Sequence, residues 1–258
     1  TRAAFYLRTI GGSESVKAIS SAVDNKKDSA LLRHELCYIL GQMQDPMACS
    51  TLAEILADQS DDVMVRHEAA EALGAIGDLK SIETLRKFSD DPAVEVSQTC
   101  QLAIELLEYK AKSSSKGEED LDKNPYLSID PAPSCSKSTS VSELTGQLKD
   151  TSLPLFQRYR AMFSLRNRGT EEAALALASS FENETNDLFK HEVAYVLGQM
   201  ENSAAVSALS KILNDAGQHS MVRHEAAEAL GAIGGTESEN ILKAFREDNV
   251  QVVKESCE

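Results

Sequence analysis

Tryptophan is absent from this 258-residue chain, and the aromatic residues together make up only 5% of it. Apolar residues still account for 42%, so the chain can bury a substantial core. Because strands select aromatic and β-branched residues, a core that relies on alanine and leucine indicates closely packed helices. The composition therefore predicts an all-α fold.

Long apolar runs are missing too, since no stretch approaches the roughly 18–20 residues that cross a bilayer. We therefore expect no membrane segment, and no secretory signal is recognisable. The five cysteines are scattered and form no Cys-x-x-Cys pair. Cys37 and Cys100 fall at apolar helix positions, which is typical of reduced core thiols in a cytoplasmic protein. The chain begins at Thr1 inside an expected helix, so we expect its ends to be trimmed.

The chain also lacks a basic surplus, because its formal net charge is −15. Binding of nucleic acid needs a basic face, so a nucleic-acid partner is disfavoured. An acidic protein attracts cationic partners such as a polyamine or a lysine-rich segment, although solubility alone also accounts for the charge.

What the chain does contain is an internal repeat. The segment MVRHEAAEALGAIG occupies residues 64–77 and returns unchanged at 221–234. A related segment precedes each copy, HELCYILGQM from His34 and HEVAYVLGQM from His191, and its His-Glu dipeptide stands 33 residues before that of the copy. A period of this length is typical of helical hairpins that stack into a solenoid.

The repeats fall into two groups that are related by an offset of 157 residues. We therefore expect helical-hairpin repeats forming an α-solenoid in two pseudo-symmetric halves, residues 1–110 and 141–258. Residues 111–140 are rich in serine, charge and proline, which predicts a flexible linker. Apolar periodicity predicts helices over 30–40, where Gly41 would break the helix, over 141–149 and over 155–166. Asp61 and Asp62 are expected to cap the start of a further helix over 63–76.

Histidine is scarce and unevenly placed, since four of the five histidines stand directly before a glutamate. Helix packing explains the alanines, leucines and glycines around these dipeptides, but it does not explain the dipeptides. Stacked helices lie about 10 Å apart, so each pair of successive histidines should be close, and the four pairs would converge if the halves face each other. The dipeptides are His34-Glu35, His67-Glu68, His191-Glu192 and His224-Glu225.

Nitrogen and oxygen donors without thiolates suit iron, manganese or zinc. Two histidines and one carboxylate per metal leave coordination positions open for oxygen, and one carboxylate per half remains for a substrate. Neither the His-Glu-x-x-His of zinc proteases nor the Glu-x-x-His of four-helix di-iron bundles is found at these positions. Glu71 and Glu228 follow His67 and His224 by one turn and are candidates to orient those rings. The residues alone thus predict a two-metal helical-repeat protein and leave its reaction open.

The four His-Glu motifs, with PYLSIDPAP at 125–133 and FQRYRAMFSLRN at 156–167, closely resemble deoxyhypusine hydroxylase, a family of HEAT-repeat enzymes. The resemblance extends over nearly the whole chain. It implies HEAT-like helical repeats and a non-haem di-iron monooxygenase that uses two Fe²⁺ ions and O₂. The substrate it implies is the deoxyhypusine form of translation initiation factor five-A, on which the reaction completes hypusine.

The resemblance also assigns a role to each motif residue. Glu35 and Glu192 would bind the cationic amines of the substrate side chain beside the reacting centre. The ligands of one iron ion would be His34, His67 and Glu68. Those of the other would be His191, His224 and Glu225.

Two other interpretations stay open. A non-catalytic HEAT scaffold has no need of four aligned His-Glu pairs, and a relative of the phycobilin-attaching HEAT lyases would not place them with twofold symmetry. A dinuclear zinc or manganese hydrolase could use the same ligands, and redox behaviour would separate it from an iron enzyme.

Overall fold

The computed structural model describes residues 2–113 and 120–258. Within them all regular structure is helical except for one isolated β-bridge between Leu121 and Ser136, so the predicted all-α fold is confirmed. None of the helices in these ranges has both the length and the apolarity that crossing a membrane requires. The contacts divide the chain into two compact units, one containing 2–113 and 128–131, the other 120–127 and 132–258.

The described residues of the first unit form seven α-helices and one short 3-10 helix, Pro46–Ala48. They are α1 (Arg2–Ile10), α2 (Gly12–Val23), α3 (Ala30–Met43), α4 (Cys49–Ala57), α5 (Val63–Ile76), α6 (Ser81–Lys87) and α7 (Val94–Ser113). Helices α3, α5 and α7 pack against one another in sequence. Their inward faces include Leu36, Leu40, Val65, Leu73 and Cys100, which are all buried.

The described residues of the second unit form eight α-helices and two short 3-10 helices, Ser179–Glu182 and Ser203–Ala205. They are α8 (Val141–Lys149), α9 (Leu155–Arg168), α10 (Glu171–Ala178), α11 (Asp187–Met200), α12 (Val206–Asn214), α13 (Ser220–Ile233), α14 (Gly235–Phe245) and α15 (Gln251–Ser256). Helices α9, α11, α13 and α15 stack in order as α3, α5 and α7 do. The predicted helix at 141–149 is confirmed to the residue, and the one predicted at 155–166 continues by two residues.

The four helices that carry the His-Glu dipeptides all begin at a side-chain cap. Ser29 accepts a hydrogen bond from the backbone of α3, Asp62 from that of α5, Asn186 from that of α11 and His219 from that of α13. Such a cap satisfies one of the backbone N–H groups that a helix leaves without a partner at its start. The predicted acidic cap of α5 is therefore confirmed at Asp62.

The prediction that Gly41 breaks its helix is wrong, because α3 continues to Met43. A Cβ atom at Gly41 would lie only 2.8 Å from the Cα atom of Ala72 in α5. The equivalent Gly198 in α11 would meet the Cα atom of Ala229 in α13 at 3.0 Å. These glycines therefore let two helix backbones approach closely, and each lies two turns after a motif histidine.

A buried arginine on four of the stacked helices bonds to a residue before its helix and to a residue after it. Arg66 in α5 donates from Nε to the Leu56 carbonyl at 3.1 Å and from its two Nη atoms to Asp91 at 3.2 and 2.6 Å. This side chain thus bonds to α4 and to the loop before α7, which limits the rotation of α5 about its axis. The same arrangement, which we call the arginine staple, recurs at Arg33 (Val23, Asp61), Arg158 (Leu148, Glu184) and Arg223 (Leu213, Asp248).

Much of the predicted linker has defined partners. Residues 114–119 lie outside the described residues, and α7 already includes the linker's first three positions. In the first unit the amide of Gln42 donates to the Ile129 carbonyl and accepts from the Ile129 N–H. In the second unit Arg160 and Arg168 donate to backbone carbonyls between 133 and 139. The flexibility of 111–140 stays a prediction.

Asp91→Asn is expected to lower the free energy of unfolding at pH 7 by roughly 3 kcal/mol, because Arg66 loses a buried ionic partner. Hydrogen bonds from Arg66 lower the pKa of Asp91, against the opposing effect of burial. Its stabilising contribution is therefore complete above about pH 4 and is lost as the pH falls through the lowered pKa. Urea unfolding at pH 7 and pH 3 measures both effects. Glu83→Gln, in an exposed ion pair with Lys87, is the control, and equal losses for the two variants would contradict the staple.

Gly41→Ala is expected to destabilise the protein by roughly 1–3 kcal/mol, because the added methyl group forces α3 away from α5. Gly146→Ala is the matched control, since nothing lies within 4 Å of a Cβ atom added to that helix. The control should be neutral or slightly stabilising. Thermal unfolding of both variants tests the close contact, which would be refuted by an unchanged melting temperature for Gly41→Ala.

Candidate metal centres

In the first unit the two motif histidines lie side by side. His34 and His67 directly follow the stapled Arg33 and Arg66, so the staples that set the rotation of α3 and α5 also set the direction of the next side chains. With the helices in close contact at Gly41, the two ring centroids are 5.4 Å apart and the planes are tilted by 43°. The predicted proximity of this pair is confirmed.

Two carboxylates flank the histidines of the first unit. The Oε2 atom of Glu68 lies 3.1 Å from Nε2 of His34, across the gap between α5 and α3. The Oε1 atom of Glu35 lies 3.6 Å from the other ring nitrogen of His34. His67, Glu68 and Glu71 also offer ligand atoms that all lie within 4.8 Å of one another. Nitrogen and oxygen donors are thus concentrated in a buried patch.

The second unit has the same internal geometry. The ring centroids of His191 and His224 are 5.5 Å apart with a tilt of 45°, and Oε2 of Glu225 lies 3.2 Å from Nε2 of His191. The ligand atoms of His191, His224 and Glu225 all lie within 4.8 Å of one another. The repeat in the sequence is therefore also a repeat of donor geometry.

Burial makes both sets unusual, because charged and imidazole groups are rarely removed from water without a purpose. His67 and His224 are 0% exposed, and Glu68 and Glu225 are 4% and 6% exposed. Two histidines and a carboxylate at such distances form a ligand set for a first-row transition metal. The donors fit iron, and they fit manganese and zinc equally well.

Glu35 and Glu192, the carboxylates of the two remaining His-Glu dipeptides, differ in exposure. Glu192 is buried, with 3% exposure, whereas the Glu35 side chain is 18% exposed. In the described part of each unit, neither belongs to the close ligand groups just named. They differ in this from Glu68 and Glu225, which contact the histidine of the facing helix.

The two carboxylates beside His34 favour the protonated form of its imidazole. Burial alone would lower the pKa of His34, but the negative charge of Glu68 and contacts with Glu35 and Glu68 outweigh it and raise the pKa well above its usual value. In the metal-free protein a proton on His34 thus partly neutralises the carboxylates. A divalent cation at this position would have to displace that proton.

Glu71 and Glu228 lie close to the residues they were predicted to orient. Oε1 of Glu228 is 3.8 Å from Nδ1 of His224 and accepts a hydrogen bond from Ser256 in α15. Glu71 lies within the ligand group of His67. Their orienting role stays a prediction.

A hollow of about 250 Å³ opens beside Glu225 in the second unit. Its wall includes Tyr195, Gln199 and Glu228, together with small residues of α11 and α13. Gln199 donates to the hydroxyl of Tyr195 at 2.9 Å and accepts from the buried Arg166 at 2.8 Å. This hydrogen-bonded wall was not foreseen from the sequence, because Arg166 lies 33 residues before Gln199.

The staples, which orient the candidate ligands, were not predicted from the sequence. The signal was present, since a basic residue precedes every His-Glu dipeptide: Arg33, Arg66, Lys190 and Arg223. The acidic partners of the three arginines stand 25 or 28 residues later, and Asp61 was interpreted only as part of a helix cap. An arginine on the buried side of a helix requires an acidic partner, and this requirement indicates the ion pairs.

Comparison with known proteins gives three findings. The family model for HEAT repeats matches residues 25–105 and 174–258, which confirms the predicted repeat class. Deoxyhypusine hydroxylase of Danio rerio is 51% identical over 257 residues, covering 100% of this chain and 83% of that protein, and the Homo sapiens enzyme is 50% identical over 100% and 82%. The solved structure of human deoxyhypusine hydroxylase in complex with glycerol matches with a TM-score of 0.93, covering 99% of this chain and 86% of that one.

Metal affinity of the first unit is expected to rise between pH 6 and pH 8, because Zn²⁺, used as a redox-inert probe, competes with the proton on His34. The stability of the metal-free protein changes in the opposite direction with pH. The interactions that raise the pKa of His34 contribute fully to stability below about pH 6.5, and this contribution is lost as the pH rises through the raised pKa. Zinc titration in a weakly buffered solution with a pH indicator measures the released protons. Glu68→Gln should release fewer protons, and His219→Asn, which keeps a residue that can cap α13, is the control. Binding without proton release would contradict the assignment.

Proposed function

This chain belongs to the deoxyhypusine hydroxylase family, and from that premise we propose that it hydroxylates a deoxyhypusine side chain with O₂ at a non-haem di-iron centre. The observation that carries the proposal is the buried His-His-Glu group, which occurs with the same geometry in both units. The protein substrate would be the deoxyhypusine form of translation initiation factor five-A, and the reaction would take place in the cytoplasm.

Each unit would contribute three ligands to one ferrous ion. Bound iron would supply the electrons and open coordination positions that reduction of O₂ requires. The donors support this assignment, since two imidazoles and one carboxylate are a known ligand set of non-haem oxygenases. The residues are His34, His67 and Glu68 for one ion, and His191, His224 and Glu225 for the other.

The protein's own groups prepare the place of the metal. In the first unit the contact between His34 and Glu68 keeps an imidazole nitrogen and a carboxylate oxygen 3.1 Å apart, so both already face a common point. When the proton leaves His34, the carboxylate retains a positive partner in the cation. Because the surroundings are buried, each ligand is held in one orientation and competing water is excluded.

The substrate side chain is cationic, and the unassigned motif carboxylates are suited to bind it. Glu192 is 3% exposed, so an ammonium group beside it would be attracted more strongly than at a solvated surface. Glu35 would take a second amine of the same chain. The net charge of −15 would favour the approach of such a substrate over long distances.

His224→Ala is expected to lose metal from the second unit and to abolish hydroxylation, because a ligand is removed. Glu192→Gln is expected to keep the metal and raise the KM, because only the attraction to the substrate amine is lost. Iron content after anaerobic reconstitution and the mass gain of one oxygen atom on the substrate measure the two effects. His219→Asn is the control, because it removes the one histidine outside the motifs and keeps a residue that can cap α13.

The outcomes separate the candidate functions. Full hydroxylation by His224→Ala would refute the assigned site, and loss of iron from Glu192→Gln would make that residue a ligand. Exclusive binding of zinc or manganese to the unsubstituted protein, with no change in visible absorption on adding O₂, would favour a dinuclear hydrolase.

A further inference from the structure

One of the four helices that carry a motif histidine lacks the arginine staple. Arg33, Arg66 and Arg223 precede the histidines of α3, α5 and α13, but Lys190 occupies this place in α11. The partner changes as well: Gln218 stands at the position that Asp61 has in the first unit, offset by 157 residues. A bidentate ion pair is thus replaced by a single amide contact.

The staple at Arg33 ties α3 in two directions. Nε donates to the Val23 carbonyl at 2.8 Å, and the two Nη atoms donate to the carboxylate of Asp61 at 2.5 and 2.6 Å. Both side chains are only 5% exposed. Three hydrogen bonds from one planar group leave little freedom for α3 to rotate about its axis.

Lys190 holds α11 in a different way. Its Nζ atom donates to the Gln218 side-chain oxygen at 2.8 Å and pairs with Asp187 at 2.6 Å. Asp187 lies in the first turn of α11, so this ion pair ties the helix to itself. The bond that leaves the helix goes to a neutral amide, and a single nitrogen on a flexible stem cannot reproduce the fork of a guanidinium.

We infer that Lys190 is a positioning residue that, with Gln218, makes α11 the least firmly oriented of the four site helices, so that the second unit holds its metal ion less tightly than the first. The inference rests on the proposed metal-binding function and deepens it. Ligands that are already oriented lose less freedom on binding a metal than ligands that must be oriented. In the first unit both ligand helices carry staples, whereas in the second only α13 does.

Hydrogen exchange of the metal-free protein tests the orientation of the helix without any metal. Peptides from 187–200 should exchange faster than the equivalent peptides from 30–43, because α11 opens more easily. The double variant Lys190→Arg/Gln218→Asp, which restores the ion pair, should slow the exchange of α11 toward that of α3. Equal exchange in the two helices, or no slowing in the double variant, would overturn the inference.

Zinc release tests the consequence for the site. His34→Ala leaves the proposed ligand set of the second unit intact, and His191→Ala leaves that of the first. Transfer of Zn²⁺ to a chromophoric chelator is expected to be roughly tenfold faster from His34→Ala than from His191→Ala. Adding Lys190→Arg/Gln218→Asp to His34→Ala should slow the release, and adding Arg33→Lys/Asp61→Gln to His191→Ala should accelerate it.

Leu144→Ala is the control for general stability. It removes a fully buried side chain from α8, which packs on α9 and α10 and carries no motif histidine, so it should reduce thermal stability without changing either release rate. An equal effect of Leu144→Ala on zinc release would attribute the difference between the units to general stability and overturn the inference. If the unsubstituted protein binds neither zinc nor iron, the proposed function fails, and the exchange experiment still decides whether Lys190 orients α11.

Discussion

The arrangement of both candidate centres depends on a guanidinium group taken out of water. A buried ion pair adds little net stability, because desolvation offsets much of the attraction. Its value here is geometric. Arg66 bonds to a carbonyl ten residues earlier and to a carboxylate 25 residues later, and the two bonds together hold its helix in one orientation about the helix axis. The next two residues along that helix are a histidine and a glutamate. The direction of the donors is therefore set by an interaction that includes none of them.

Features that repeat along the chain could be predicted from the sequence, whereas features that depend on distant contacts could not. The helices, the cap at Asp62 and the closeness of His34 to His67 follow from local patterns and from the repeat period. Gly41 was misinterpreted because glycine serves both at helix ends and at close contacts, and the choice depends on what the facing helix presents. Asp61 was assigned to a cap for a similar reason, since its partner Arg33 lies 28 residues away.

The donor types could be predicted, but their pairing could not. The sequence places Glu35 next to His34, yet the shorter contact of that ring is with Glu68 on the facing helix. The direction of each side chain decides which carboxylate contacts the ring, and the order of residues along the chain does not give that direction. The different exposure of Glu35 and Glu192 likewise arises from packing around two positions that the repeat makes equivalent.

The contact at Gly41 also limits which changes the chain can tolerate together. A side chain at that position would meet the Cα atom of Ala72 and not only its methyl group. Replacing Ala72 by a smaller residue cannot remove a Cα atom, so no compensating substitution at the partner position restores the fit. The remaining way to relieve the clash is to separate α3 from α5, which would also separate the two imidazoles. Any side chain at this position therefore acts on the histidine pair as well as on stability, and a change at Ala72 cannot offset either effect.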